Sequence, residues 1–260
     1  MKVVIFAGGL GTRLSEETNL LPKPMIEIGD KPILWHIMKS YSRYGFSDFV
    51  ILVGYKSYLV KEYFLNYCLH QSDVRVDLRS NSVEYLASST EPWTVTLLDT
   101  GQDTLTGTRL SKARHVLNDQ QFLLTYGDGL SDVNLNDLLK FHNLHDGIVT
   151  MTAVQPAGRF GTFNSNECTG QIKTFTEKPS GDGSWINGGF FVCDSQVFDY
   201  IDIHNNVAFE DQPLQSLANA GLLYSYKHNG FWKCMDTLRD KIEINAISSQ
   251  SAPWLRAISS

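Results

Sequence analysis

No stretch of this 260-residue chain comes near the roughly 20 consecutive apolar residues that a bilayer span requires. The N-terminus has no signal-peptide pattern either, because Met1-Lys2 runs straight into a strand-like segment. These two absences predict a cytoplasmic protein with no membrane partner. Cysteine is scarce and unpaired: Cys68, Cys168, Cys193 and Cys234 are widely spaced and form no Cys-x-x-Cys. Free thiols, most of them buried, are therefore expected. His142 and His145 lack a third ligand nearby, which favours a solvated helix face over a metal centre. There is no basic surplus, since the formal charge is −6, and this argues against nucleic acid as a partner. Any phosphate site must be a local positive pocket.

Two common glycine signatures are also missing. A dinucleotide fingerprint read from Gly9 fails because Leu14 holds the third glycine position, and no Gly-Lys-Ser/Thr of a P-loop occurs.

What is present is a strand-and-helix alternation with ample apolar material, 42% of residues, for one large core. Val3-Val4-Ile5 is an apolar, β-branched run of the kind buried on both faces in parallel sheets. Ile33, Leu34, Ile37, Met38 and Tyr41 recur at helical spacing, Phe49 to Val53 is a second buried strand, and Tyr58 to Phe64 a second helix. Further strands are read at Asp73 to Leu86 (a partly exposed pair), Thr94 to Leu98 (buried), Phe122 to Thr125, Ile148 to Val154, Phe190 to Cys193 and Leu222 to Tyr226. The expected fold is α/β: a mixed, mainly parallel, doubly wound (Rossmann-like) sheet flanked by helices.

The chemistry concentrates where the first strand ends. Gly8, Gly9, Leu10, Gly11, Thr12 and Arg13 form a glycine-rich loop that can take positive φ and bring backbone N–H groups up to an anion. For the glycines alone, a tight strand-to-helix turn explains as much. Arg13 adds a planar fork suited to two phosphate oxygens, and Lys23 stands between Pro22 and Pro24, which are expected to hold it extended. Tyr126-Gly127-Asp128-Gly129 closes a strand at the sheet edge where α/β proteins bind ligands, so Asp128 is a candidate metal ligand, or else a turn former. Asp132 is expected to begin the following helix. Asp236 could cap the helix that starts near Leu238.

Gly-Gly-Leu-Gly-Thr-Arg-Leu followed by Pro-Lys-Pro-Met resembles the sugar-phosphate nucleotidyltransferases, and the longer match is to their cytidylyltransferases. The resemblance covers almost the whole chain. It implies a single nucleotidyltransferase domain over 1–260, with a nucleotide part about 1–130, a sugar part about 131–240 and a C-terminal helix and tail over 241–260. It implies CTP and glucose 1-phosphate as substrates, Mg²⁺ as cofactor and a homo-oligomer. By position it assigns Arg13, Lys23 and Lys178 to catalysis, and Thr104 and Arg109 to CTP beside the glycine loop. Gly161, Glu177, Lys178 and Asn187 fall to the sugar wall, and Asp128 and Asp236 to the metal. Two positions depart from the family pattern: Leu21 replaces a basic residue before Pro-Lys-Pro, and Gln212 replaces a glutamate before Pro-Leu. A reduced rate or an altered affinity is expected from them rather than loss of chemistry.

Overall fold

The computed structural model describes residues 1–256 except 10, 12, 13, 15–17, 19, 89, 157–161, 166–168, 170 and 177–183, and the backbone alone at 88, 162–165 and 175–176. Strand β1 (Lys2–Ala7) leads through the glycine loop to helix α1 (Ile33–Ser42), β2 (Asp48–Val53), α2 (Ser57–Leu65) and β3 (Thr94–Asp99). Helix α3 (Thr106–Lys112), β4 (Phe122–Tyr126), the short β5 (Gly129–Ser131), α4 (Leu135–His142) and β6 (Val149–Val154) follow. The chain ends with β7 (Ile186–Cys193), α5 (Gln212–Asn219), β8 (Leu223–His228), β9 (Trp232–Cys234) and α6 (Leu238–Gln250).

Seven strands form the central sheet in the order β8-β6-β7-β4-β1-β2-β3. All pairings are parallel except those of β7, which is antiparallel to both β6 and β4. A parallel return needs a crossover, and among the described residues no helix lies between β6 and β7. The expected mixed, mainly parallel sheet is what the chain forms.

The apolar run of β1 explains the layering. Val3 and Ile5 point into a core that holds Ile37, Tyr41 and Ile244, while Val4 and Phe6 point into a second core with Leu110, Phe198 and Leu217. Both faces are thus covered, and from Val3 to Ala7 the strand has no polar position to give to solvent. β3 departs from expectation: it is one of the sheet's two edge strands and is half-exposed, because among the described residues no strand pairs with its outer side. The partly exposed pair is the hairpin Ser72–Asp77 with Ser82–Ser88.

Other readings change with burial. His142 is 2% exposed, its Nδ1 lies 2.8 Å from Thr150 Oγ1, and His145 Nε2 lies 2.9 Å from the same oxygen. The end of α4 and the turn after it therefore pack the two histidines against β6 instead of solvating them. Asp132 does not begin α4; Asn134 caps it, and Asp132 pairs with His228 at 2.9 Å. Cys193 is buried, Cys234 half-buried and Cys68 exposed, so the thiols are less uniformly buried than expected. Cys168 lies outside the described residues.

The tail is fixed by Trp254, which is 2% exposed and donates its indole N–H to His36 Nδ1 at 3.2 Å. His36 Nε2 meets the Ile28 carbonyl at 2.9 Å, so this ring is neutral with its proton on Nε2. Burial lowers the His36 pKa below its ordinary value of 6.5, more than the Ile28 hydrogen bond raises it. A folded pKa below the unfolded one means that this stability is complete above pH 6.5 and declines as pH falls through that value. Melting temperature is expected to drop between pH 7 and pH 5.5, and His36→Gln, which can keep both bonds, should flatten that slope.

Candidate active site

The parallel pairing of β1 with β4 puts Gly8 and Asp128 at the same, carboxyl edge of the sheet, where Gly127 N donates to Phe6 O at 2.9 Å. Lys23 crosses that edge. It opens a single 3-10 turn, Lys23–Met25, rather than an extended segment: Pro22 is extended, and the φ fixed by Pro24 suits the turn equally well. Lys23 Nζ lies 2.6 Å from Asp128 Oδ2 and 2.6 Å from Asp236 Oδ1, joining residues 105 and 213 positions away in the chain. Burial works against its charge, but Asp128, Cys234 and the hydrogen bonds to both aspartates more than offset this, so the pKa is raised.

The local alternatives for both aspartates fall away. Thr237, not Asp236, caps α6: its hydroxyl accepts from Asp240 N and the Asp240 carboxylate accepts from Thr237 N, a complete capping box. The Asp128 carboxylate receives the Lys23 ammonium rather than a turn N–H. Cys234 joins the group, since one ligand atom each from Asp128, Cys234 and Asp236 lies within 4.8 Å of the others. Burial, and then the Asp128 charge, pushes its thiol pKa up.

This donor set fits a divalent cation. Two carboxylate oxygens already converge on one cationic atom, and hard oxygen donors suit hard cations.

Arg109 lies beside the glycine loop, enclosed by backbone carbonyls. It is 3% exposed, and its Nη groups donate to the carbonyls of Gly8, Gly101 and Gln102 and to Thr100 Oγ1, at 2.5 to 2.9 Å. The guanidinium therefore ties the glycine loop to the Asp99-Thr100-Gly101 turn. Thr104 likewise donates inward, to Thr100 O at 2.6 Å. Gly8 is explained by this arrangement, because a Cβ there would collide with the Arg109 guanidinium; its φ is not positive, and among the described residues of this loop only Gly11 has the left-handed φ, +63°. Gly9 is exposed.

On the neighbouring strand, Asn187 Nδ2 donates to Tyr126 Oη at 3.1 Å while its Oδ1 accepts from Gly189 N at 2.8 Å. Tyr126 Oη donates to Glu210 Oε1 at 2.6 Å, and Glu210 Oε2 accepts from Thr106 Oγ1 at 2.6 Å. Burial and then the Glu210 charge raise the Tyr126 pKa, so the phenol stays a donor. Neither Tyr126 nor Glu210 was singled out from sequence, and no local spacing could have joined residues 84 positions apart. The two departures from the family pattern have ordinary roles: Leu21 packs against the core and Gln212 bonds Ser216 at 3.0 Å. Leu10, Thr12, Arg13, Gly161, Glu177 and Lys178 lie outside the described residues.

Comparison with known proteins bears on the family of the chain. The nucleotidyl transferase family model matches residues 2–250. A glucose-1-phosphate cytidylyltransferase of Salmonella typhimurium is 51% identical over 256 residues, covering 98% of each chain. A probable glucose-1-phosphate cytidylyltransferase of Bacillus subtilis is 46% identical, covering 96% of this chain and 97% of its own. The crystal structure of HddC from Yersinia pseudotuberculosis superposes with a TM-score of 0.69 over 95% of this chain and 99% of that one, at 19% identity, which speaks for the fold alone. Matched along nearly its whole length, the chain belongs to the nucleotidyl transferase family.

Proposed function

We infer that the chain transfers the cytidylyl group of CTP to α-D-glucose 1-phosphate, giving CDP-glucose and pyrophosphate. The observation that carries the chemistry is the convergence of Lys23, Asp128 and Asp236 at the carboxyl edge of the sheet. The choice of substrates is supported by full-length relatives named for that reaction. Phosphoryl-type displacement asks little covalent work of a protein and much positioning and charge neutralisation. In this reading the sugar phosphate oxygen attacks the α-phosphorus in line, the bond to the bridging oxygen breaks, and pyrophosphate leaves with that electron pair.

Residues divide the work as follows. The loop of Gly8, Gly9, Leu10, Gly11, Thr12 and Arg13 holds the β- and γ-phosphates, and Arg109 and Thr104 keep that loop and its neighbour in register. Lys23 stabilises charge on the α-phosphate once its ammonium leaves the aspartates. Asp128 and Asp236 hold the divalent cation, which we assign as Mg²⁺; when bound it neutralises and orients phosphate oxygens. Lys178 neutralises the incoming sugar phosphate, and Gly161, Glu177 and Asn187 bind the sugar. Residues 1–130 thus serve the nucleotide and 131–240 the sugar, within one domain that ends in the helix and tail of 241–260. A homo-oligomer belongs to the same reading, supported by Leu78 and Tyr85, which stand 87% and 53% exposed on the hairpin.

Tyr126→Phe removes the acceptor that fixes the Asn187 amide. One hydrogen bond is worth about 0.5–1.5 kcal/mol, so the KM for glucose 1-phosphate should rise by up to about tenfold. The KM for CTP should change by less than about twofold, as the effect is confined to ground-state sugar binding. Equal rises in both would remove Tyr126 from the sugar wall. The function itself is tested by pyrophosphate release over a grid of nucleoside triphosphates and sugar 1-phosphates. CTP with glucose 1-phosphate should be the preferred pair; preference for another triphosphate would keep the chemistry and overturn the substrate.

A further inference from the structure

Cys234 has no part in the reaction described above, yet the fold holds it beside the cation ligands. Its residue pairs with Gly129 across β9 and β5, and the next residue, Met235, donates its N–H to Asp128 O at 2.9 Å. This pairing fixes the sulfur near Asp128, and the two-residue step to Asp236 brings the second carboxylate to the same point. Donor atoms of Asp128, Cys234 and Asp236 then lie within 4.8 Å of one another. Hard cations such as Mg²⁺ are satisfied by oxygen, whereas thiolate strongly favours softer ions such as Zn²⁺ and other thiophilic divalents. Three protein donors plus one exchangeable position is also the ligand count of an open tetrahedral site.

We propose that the cation site of this chain is a mixed oxygen–sulfur site, at which a thiophilic divalent cation binds through Cys234 Sγ together with Asp128 and Asp236, in competition with Mg²⁺. The proposal rests on the reading of the two aspartates as cation ligands. On binding, the S–H bond breaks as the metal–sulfur bond forms, the proton passes to solvent, and no oxidation state changes. The Lys23 ammonium gives up its seat between the carboxylates. A thiophilic cation held by three protein donors would resist displacement by Mg²⁺, so the site would be blocked by metals that an all-oxygen site holds weakly.

The probe is Cd²⁺, titrated into the metal-free full chain while the ultraviolet cadmium–thiolate charge-transfer band is followed. The wild type and Cys68→Ser, which removes the thiol that is exposed among the described residues, should both develop the band. Cys234→Ser should lose it and bind Cd²⁺ at least tenfold more weakly, and Asp128→Asn should weaken it. In the wild type itself, Cd²⁺ should protect Cys234 from alkylation when the modified peptides are weighed, which keeps the proposal testable if a variant folds poorly. A band that survives Cys234→Ser, or alkylation of Cys234 undiminished by Cd²⁺, would overturn it. Pyrophosphate release by the wild type with Mg²⁺, measured beside the titration, separates the two readings. Turnover without the band defeats only the sulfur ligand, and the band without turnover defeats only the enzymatic function.

Discussion

Asp128→Asn and Asp236→Asn are each expected to lower kcat on the order of a hundredfold or more, the scale of a positioned electrostatic group. The double variant should be little worse than either single one. The reason is geometric: both carboxylates meet one cationic atom, Lys23 Nζ, at 2.6 Å. If they hold one divalent cation between them, losing either disables the pair, and residues acting as a unit are strongly non-additive. A double-mutant cycle on kcat at saturating Mg²⁺, with melting temperatures beside it, reads this directly. Additive losses with parallel destabilisation would mean two separate structural roles, and the cation site would be lost from the account.

Lys23→Ala should lower kcat by roughly two to three powers of ten and raise the KM for CTP far less, because its charge is assigned to the transition state at the α-phosphate. A second consequence follows from its partners. Lys23 is only 13% exposed in its side chain and neutralises two facing carboxylates, so its removal leaves like charges together. The variant should melt lower than the wild type in chelator, and divalent cations should restore more of that loss than they add to the wild type. A change in KM alone would make Lys23 a ground-state binder.

Much of this was legible in the sequence because the signals are local. Apolar β-branched runs bounded by glycine give buried strands; helical spacing from Ile33 to Tyr41 gives α1; Pro-Lys-Pro and Gly-Asp-Gly mark a sheet edge. The antiparallel sense of β7 and the exposed side of β3 were not, since both depend on which strand lies beside which. The surroundings of Arg109 were hidden for a related reason. An arginine in a short helix looks like a surface cation, and only the approach of three loops reveals that backbone carbonyls enclose it. Like the Asn134 cap of α4, the capping box of Thr237 and Asp240 was an overlooked local signal. Its Thr-x-x-Asp spacing would have released Asp236 from the capping role without any coordinates. Tyr126, Glu210 and Cys234 carry no such signal, because their partners come from other strands or turns.

The central claim is a single in-line transfer at the α-phosphorus of CTP. It is tested most directly by supplying CTP with sulfur in place of one α-oxygen, in known configuration, together with glucose 1-phosphate and Mg²⁺. The configuration at phosphorus is then determined in the CDP-glucose formed. One displacement turns the phosphorus inside out, so inversion is the predicted result. Retention would require two displacements through a covalent enzyme intermediate and would contradict the account.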